Sequence, residues 1–260
     1  MKNSKIAVLQ RQKKIWEKLL KDQTIFVEQL AEEYGVSTIT LRRDLDTFEQ
    51  KGLIERFHGG AKLVHVPQKR DPSLMKNADL QITKRLIAKK AAEMVEEGDT
   101  IFVNSSTTAL AMFEFLSDKK VTIITNNANS FCYADTGKIE IVFTGGMINS
   151  IKHSMVGEVA VQMIKTIHAN KCFIGVSGIN YNGDISTAIL QETMVNIAMM
   201  EQTNHNIVIL ADSSKIGVQH NFTIGSLNQV THLITDYNIN EEQKKFLKNT
   251  PVELLIAQSS

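Results

Sequence analysis

The apolar positions of this chain change period near residue 70. Before that point they recur every three or four residues, and beyond Thr100 they gather in short unbroken runs. The first spacing puts apolar side chains on one face of a helix; the second suits strands buried on both sides. The helical pattern predicts a first helix from about Val8 to Lys21, on Leu9, Ile15, Trp16, Leu19 and Leu20. A second runs from about Val27 to Tyr34 and stops at Gly35, which suits a left-handed cap. A third begins after Ser37, whose hydroxyl can take an orphan amide proton at the helix start. Leu41, Leu45 and Phe48 then form its apolar face, leaving Ile39, Arg42, Arg43 and Thr47 on the other side. Past Gly52, two β-prone runs flank Gly59-Gly60 and predict a hairpin carrying Arg56, His58 and Lys62.

Helix, helix, glycine turn, helix and hairpin is the layout of a winged helix-turn-helix. Arg42 and Arg43 can clamp guanine edges, Ser37, Thr38, Thr40 and Thr47 can bond a base or a phosphate, and Ile39 can touch a thymine methyl. Arg56 and His58 fall near phosphates or the minor groove. Charge supports this reading. Residues 1–70 hold 14 Lys and Arg against 9 Asp and Glu, a net of +5, so the chain's overall +1 hides a basic head on a mildly acidic body. A basic head suits counterion release from double-stranded DNA.

Two of the three prolines, Pro67 and Pro72, lie in a polar stretch without apolar periodicity. This predicts a linker over residues 66–78 between a head, 1–65, and a body, 79–260. The body alternates elements: a helix over Leu80–Glu97, a strand Thr100–Val103, a helix Thr107–Leu116, then strands Val121–Thr125 and Ile139–Phe143. A helix Gly157–His168, a strand Lys171–Val176, a helix Leu190–Glu201 and a strand Asn206–Ala211 follow. His232–Thr235, Glu241–Leu247 and Val252–Ile256 read as strand, helix and strand. The fold class is therefore α/β, with a mainly parallel sheet covered on both faces.

Ligands of such sheets bind at the carboxyl ends of the strands. Small polar clusters stand there: Asn104-Ser105-Ser106-Thr107-Thr108, Thr125-Asn126-Asn127, Thr144-Gly145-Gly146, Ser177-Gly178-Ile179-Asn180 and Asp212-Ser213-Ser214-Lys215. Each alone is what any strand-to-helix turn wants. Five together point to one pocket, where hydroxyls at a helix start can hold a phosphate and Lys215 can add a charge.

The spaced pattern Arg11, Ile15, Leu19, Ser37, Thr40-Leu41-Arg42-Arg43-Asp44-Leu45, with the His58-Gly59-Gly60-Ala61 wing, resembles the DeoR family of bacterial transcriptional regulators. The body resembles that family's sensor domain, related in fold to ribose-5-phosphate isomerase. The resemblance covers essentially the whole chain. It implies a repressor of a sugar-catabolic operon, released by a phosphorylated sugar, and it adds Glu192 as a helix-borne acid of the effector site. Two departures matter: Asn104 and Ser106 stand where the family carries Asp and Gly.

The alternative is a sugar-phosphate isomerase or transferase with an attached DNA-binding head. Such chemistry needs positioned carboxylates. Asp184, Glu192 and Asp212 are the candidates, but the segment 177–180 lacks the acidic cluster of the related isomerases. A purely architectural DNA binder is disfavoured by the strand-end clusters. No segment approaches the roughly 20 apolar residues of a membrane span, the N-terminus lacks a signal segment, and the expected location is cytoplasmic. Cys132 and Cys172 read as buried thiols of a reduced protein. The seven histidines lack ligand-like spacing, so no metal and no cofactor are expected. A single head of this size binds weakly, so a homo-oligomer, dimer or tetramer, on repeated half-sites is expected.

Overall fold

A computed structural model describes residues 11–12, 14–15, 18–19, 22–50, 54–57, 59–63, 72–134, 138–204 and 206–258. The chain divides into two compact units, 1–72 and 73–260.

In the first unit the described residues from 11 to 22 are helical, with Ile15 and Leu19 fully buried. The remaining positions of the helix expected from Val8 to Lys21, His58 of the wing and residues 66–71 of the expected linker fall outside the described residues. Strand β1 (Thr24–Phe26) leads into helix α1 (Val27–Tyr34), which closes on Gly35 at φ 62°. Helix α2 (Thr38–Gln50) follows, then β2 (Ile54–Phe57) and β3 (Gly60–Leu63). β3 pairs antiparallel with both β2 and β1, so the wing is a three-stranded sheet. Leu30, Leu41, Leu45 and Phe48 close its core against Ile15, Leu19 and Ile54.

The second unit opens with α3 (Pro72–Glu93). The helix expected from Leu80 thus begins eight residues earlier, inside the expected linker, and proline is well suited to a first helical turn. Seven strands form a parallel sheet ordered β15-β14-β12-β9-β4-β5-β6. They are β4 (Thr100–Val103), β5 (Val121–Thr125), β6 (Ile139–Phe143), β9 (Lys171–Gly175), β12 (Ile207–Leu210), β14 (His232–Asp236) and β15 (Glu253–Ala257). Side chains along each strand alternate between two cores. Phe102, Cys172, Ile174 and Ile209 face α5 (Glu158–Lys165) and α6 (Leu190–Glu201). Ile101, Val103, Phe173, Val208 and Leu210 face α3 and the segment after β4. That segment holds α4 (Thr107–Leu110), which tightens into a 3-10 helix, Ala111–Phe115. The pattern had predicted one continuous α-helix there.

Two small antiparallel assemblies complete the unit. β7 (Met147–Asn149) pairs with β8 (Ser154–Val156) as a hairpin. β10 (Gly178–Ile179), β11 (Asp184–Thr187) and β13 (Phe222–Ser226) form a three-stranded sheet. Helix α7 (Glu241–Lys248) precedes β15. Cys172 is buried, which pushes its thiol pKa up to about 12. Cys132, expected to be buried, is exposed, because it lies on a 3-10 helix, Ala128–Tyr133, that buries only Ser130. Among the described residues no helix is long and apolar enough to cross a membrane, and no group of three or more potential metal-ligating side chains gathers.

Candidate functional site

The outer face of α2 is built by its start and its inner face. Ser37 Oγ accepts the Thr40 amide at 3.1 Å and contacts Thr40 Oγ1 at 2.8 Å, so the Ser37 hydroxyl caps the helix. Asp44, almost fully buried, receives Arg11 at 2.5 Å and Gln12 at 3.1 Å, which ties the first helix to α2. With Leu41 and Leu45 turned inward, Ile39 is left 64% exposed and Arg42 and Arg43 are exposed beside it. Thr38 and Thr40 are half-buried. Thr47 is also half-buried and donates to the Arg43 carbonyl at 3.3 Å. Arg56, expected near phosphates or the minor groove, donates to Asp46 at 2.6 Å and to the Arg42 carbonyl at 3.3 Å. It pins the wing to α2. Phe26 and Phe57 meet edge to face at 5.8 Å, and together with Arg42, Arg56 and Gly59 they line a concavity of about 760 Å³.

In the second unit a cleft of about 430 Å³ opens at the carboxyl ends of the three adjacent strands β12, β9 and β4. Asn104, Ser105, Ser106, Thr107, Thr108, Ser177, Glu192, Asp212 and Lys215 all line it. Four predicted residues lie elsewhere, for identifiable reasons. Asn126 is fully buried beneath β8, donating to the Met155 carbonyl at 3.2 Å. Gly145 and Gly146 form the tight turn into β7; a Cβ on Gly146 would stand 2.6 Å from the Val156 carbonyl. Gly178 sits in β10, packed on the Val218 backbone. Strands β5 and β6 are farther out along the sheet, so their carboxyl ends serve the hairpin instead.

Sequence reasoning missed five polar residues of the cleft, Thr187 of β11 among them. Lys84 reaches it from α3, one helical turn beyond Leu80. Lys152 and His153 come from the tip of the β7–β8 hairpin, and Asn129 from the 3-10 helix beside it, bonded to His153 Nδ1 at 3.0 Å. A signal for Lys84 was available, since Leu80 and Lys84 share one face of a helix beside the sheet. The hairpin left no periodic signal. Lys84, Lys152 and Lys215 have no hydrogen-bonding or ion-pair partner for their ammonium groups among the described residues. Burial pushes Lys84 below the usual lysine range; Asp212 opposes this, while Lys215 and Lys152 add to it. The three ammonium groups therefore share one field.

The carboxylates of the cleft are already engaged. Glu192 accepts Ser105 Oγ at 2.9 Å, and Asp212 takes the Ser214 amide and hydroxyl. Asp184 lies in β11 outside the cleft, bonded by Asn180 at 2.9 Å. The short α4 offers little helix dipole, so hydroxyls and lysines rather than a helix end dominate the cleft.

Comparison with known proteins adds three kinds of finding. Residues 11–66 match the DeoR-like helix-turn-helix domain, and residues 81–237 match the DeoR C-terminal sensor domain. The transcriptional regulator YulB of Bacillus subtilis is 32% identical over 95% of this chain and 96% of its own length. The lactose phosphotransferase system repressor of Streptococcus mutans is 32% identical over 94% and 98%, and the repressor GlcR of Bacillus subtilis is 32% identical over 90% of each chain. Among solved structures, ribose 5-phosphate isomerase A of Methanocaldococcus jannaschii matches 54% of this chain and 55% of that one, at 19% identity and a TM-score of 0.39.

Proposed function

Because this chain belongs to the DeoR family of transcriptional regulators, we propose that it represses a sugar-catabolic operon and leaves its operator when a phosphorylated sugar fills the cleft. It is a regulator rather than an enzyme: the relatives that match along nearly its whole length are named for transcriptional control. The observation that carries the effector class is the convergence of Lys84, Lys152 and Lys215, none of them paired, on a cleft lined with hydroxyls. Unpaired ammonium groups sharing a field repel one another, and a phosphate dianion relieves that repulsion. The Glu192 and Asp212 oxygens that Ser105 and Ser214 do not use complete the site as acceptors for sugar hydroxyls.

On the DNA side, Ile39, Arg42 and Arg43 present an apolar contact and two forks to the major groove. Thr38 and Thr40 stand at the helix start, and Arg56 holds the wing in register. Operator binding uses a homo-oligomer, so that two heads reach two half-sites. The effector acts by favouring a state whose heads no longer fit the operator, through a coupling energy of about 1–3 kcal/mol.

Calorimetric titration with a panel of sugar phosphates tests the effector site. One of them should bind the wild type, and Lys215→Ala should lose roughly tenfold or more in affinity, as expected for a charge-assisted bond worth about 1.5–3 kcal/mol. Undiminished binding by that variant would mean that the phosphate sits elsewhere.

A further inference from the structure

Five large apolar side chains crowd the surface around the β7–β8 hairpin. Phe131, Met147, Ile148, Ile151 and Val159 are between 63% and 87% exposed. They form one region. Hairpin and 3-10 helix are joined by the Ala128 amide to the His153 carbonyl at 2.8 Å, which places Phe131 beside the hairpin tip. Val159 opens α5 directly after β8 and approaches the Gly145 turn that leads into β7. Strand β7 pairs with β8 alone among the described residues, so its other edge presents unpaired backbone groups. Met147 and Ile148 point to opposite faces of that strand, and both are exposed.

Together these side chains make an exposed apolar patch on the order of several hundred Å², the upper end of what a monomer leaves exposed and the scale of the ~800 Å² each partner buries in a standard interface. We propose that this surface is the twofold interface between two copies of the sensor domain, with β7 pairing antiparallel to β7 of the second copy. Antiparallel pairing sets the tip of one hairpin against the base of the other. The same hairpin tip lines the effector cleft with Ile151, Lys152 and His153. One short element thus touches ligand on one side and the second copy on the other. This last consequence rests on the proposed effector reading; the interface itself does not.

Sedimentation velocity on the full-length protein tests it, using wild type, Ile148→Lys, Ile151→Lys and Ile82→Lys. Ile82 is 57% exposed on α3, outside the hairpin and the 3-10 helix beside it, and serves as the control. The wild type should sediment as a dimer or larger. Ile148→Lys and Ile151→Lys should each weaken the association at least about tenfold while keeping the wild-type circular dichroism, and Ile82→Lys should assemble normally. A monomeric wild type, or hairpin variants that assemble like wild type, would overturn the proposal, as would dissociation caused equally by Ile82→Lys. Calorimetry with sugar phosphates on the same samples judges the effector reading separately: a wild type that assembles through the hairpin but binds no sugar phosphate overturns that reading alone.

Discussion

Asn104 uses every hydrogen-bonding group it has. Its amide donates to the Gly175 carbonyl at 2.9 Å and to Asn196 at 3.0 Å, while its oxygen accepts the Gly175 and Ser106 amides at 3.0 Å and 3.3 Å. It stitches β4 to β9 beneath the cleft and is 2% exposed. The asparagine that stands in place of the family's Asp is therefore a structural tie. Ser106, the second departure, caps α4 by accepting the Ala109 amide and packs so tightly on Gly175 that a Cβ there would collide with it. Asn104→Asp sets carboxylate oxygens against the Gly175 carbonyl and should cost about 1–3 kcal/mol in urea unfolding. The introduced acid is buried, so its folded pKa stands above its unfolded value. The deficit is full above the folded pKa, shrinks as pH falls through it, and is gone below the unfolded carboxylate pKa. Equal stability of variant and wild type at alkaline pH would refute this account. Lys84 gives a second pH signature. Its pKa is depressed in the free protein and is raised by a bound phosphate, so binding takes up protons at alkaline pH. Effector affinity should be full below the depressed Lys84 pKa and decline as pH rises past it, beginning below the ordinary lysine range. Titrations in buffers of different ionisation enthalpy would detect the uptake, and a flat profile would remove Lys84 from the phosphate.

The elements that were legible in the sequence are those whose cause is local or strongly periodic. Helix α2 announces itself through a Ser37 cap, a Gly35 stop and an apolar face at Leu41, Leu45 and Phe48. The parallel strands announce themselves as apolar runs because both of their faces are covered. What stayed hidden were short antiparallel pieces. β7, β8 and β10 are two or three residues long, too short for a period of two to register, and β7 is exposed on both faces. Lys152 and His153 escaped with them. At this scale the proposal that α2 reads the DNA is tested by a single side chain. Arg43→Ala should weaken operator binding roughly ten- to a hundredfold, the discrimination of about 1–3 kcal/mol that one bidentate base contact supplies, while sugar-phosphate affinity is unchanged. A normal operator affinity in that variant would take Arg43 out of the groove.

At the level of the whole molecule, the charge split between a basic head and an acidic body and the change in hydrophobic period both marked two functions in one chain. The sheet order explains which strand-end clusters became a site. Strands β12, β9 and β4 are neighbours at the middle of the sheet, so their loops converge, whereas the loops after β5 and β6 lie toward an edge. Strand order is a long-range property that no single segment encodes, so Asn126, Gly145 and Gly146 were grouped with the others only by their composition. The central claim is that cleft and head are coupled. It is tested most directly by fluorescence anisotropy of the full-length protein on a labelled duplex from upstream of its own gene, titrated with sugar phosphates at fixed moderate salt. The account predicts specific binding that one phosphosugar releases in the wild type and fails to release in Lys215→Ala. Specific binding that the phosphosugar bound in calorimetry leaves unchanged would contradict it.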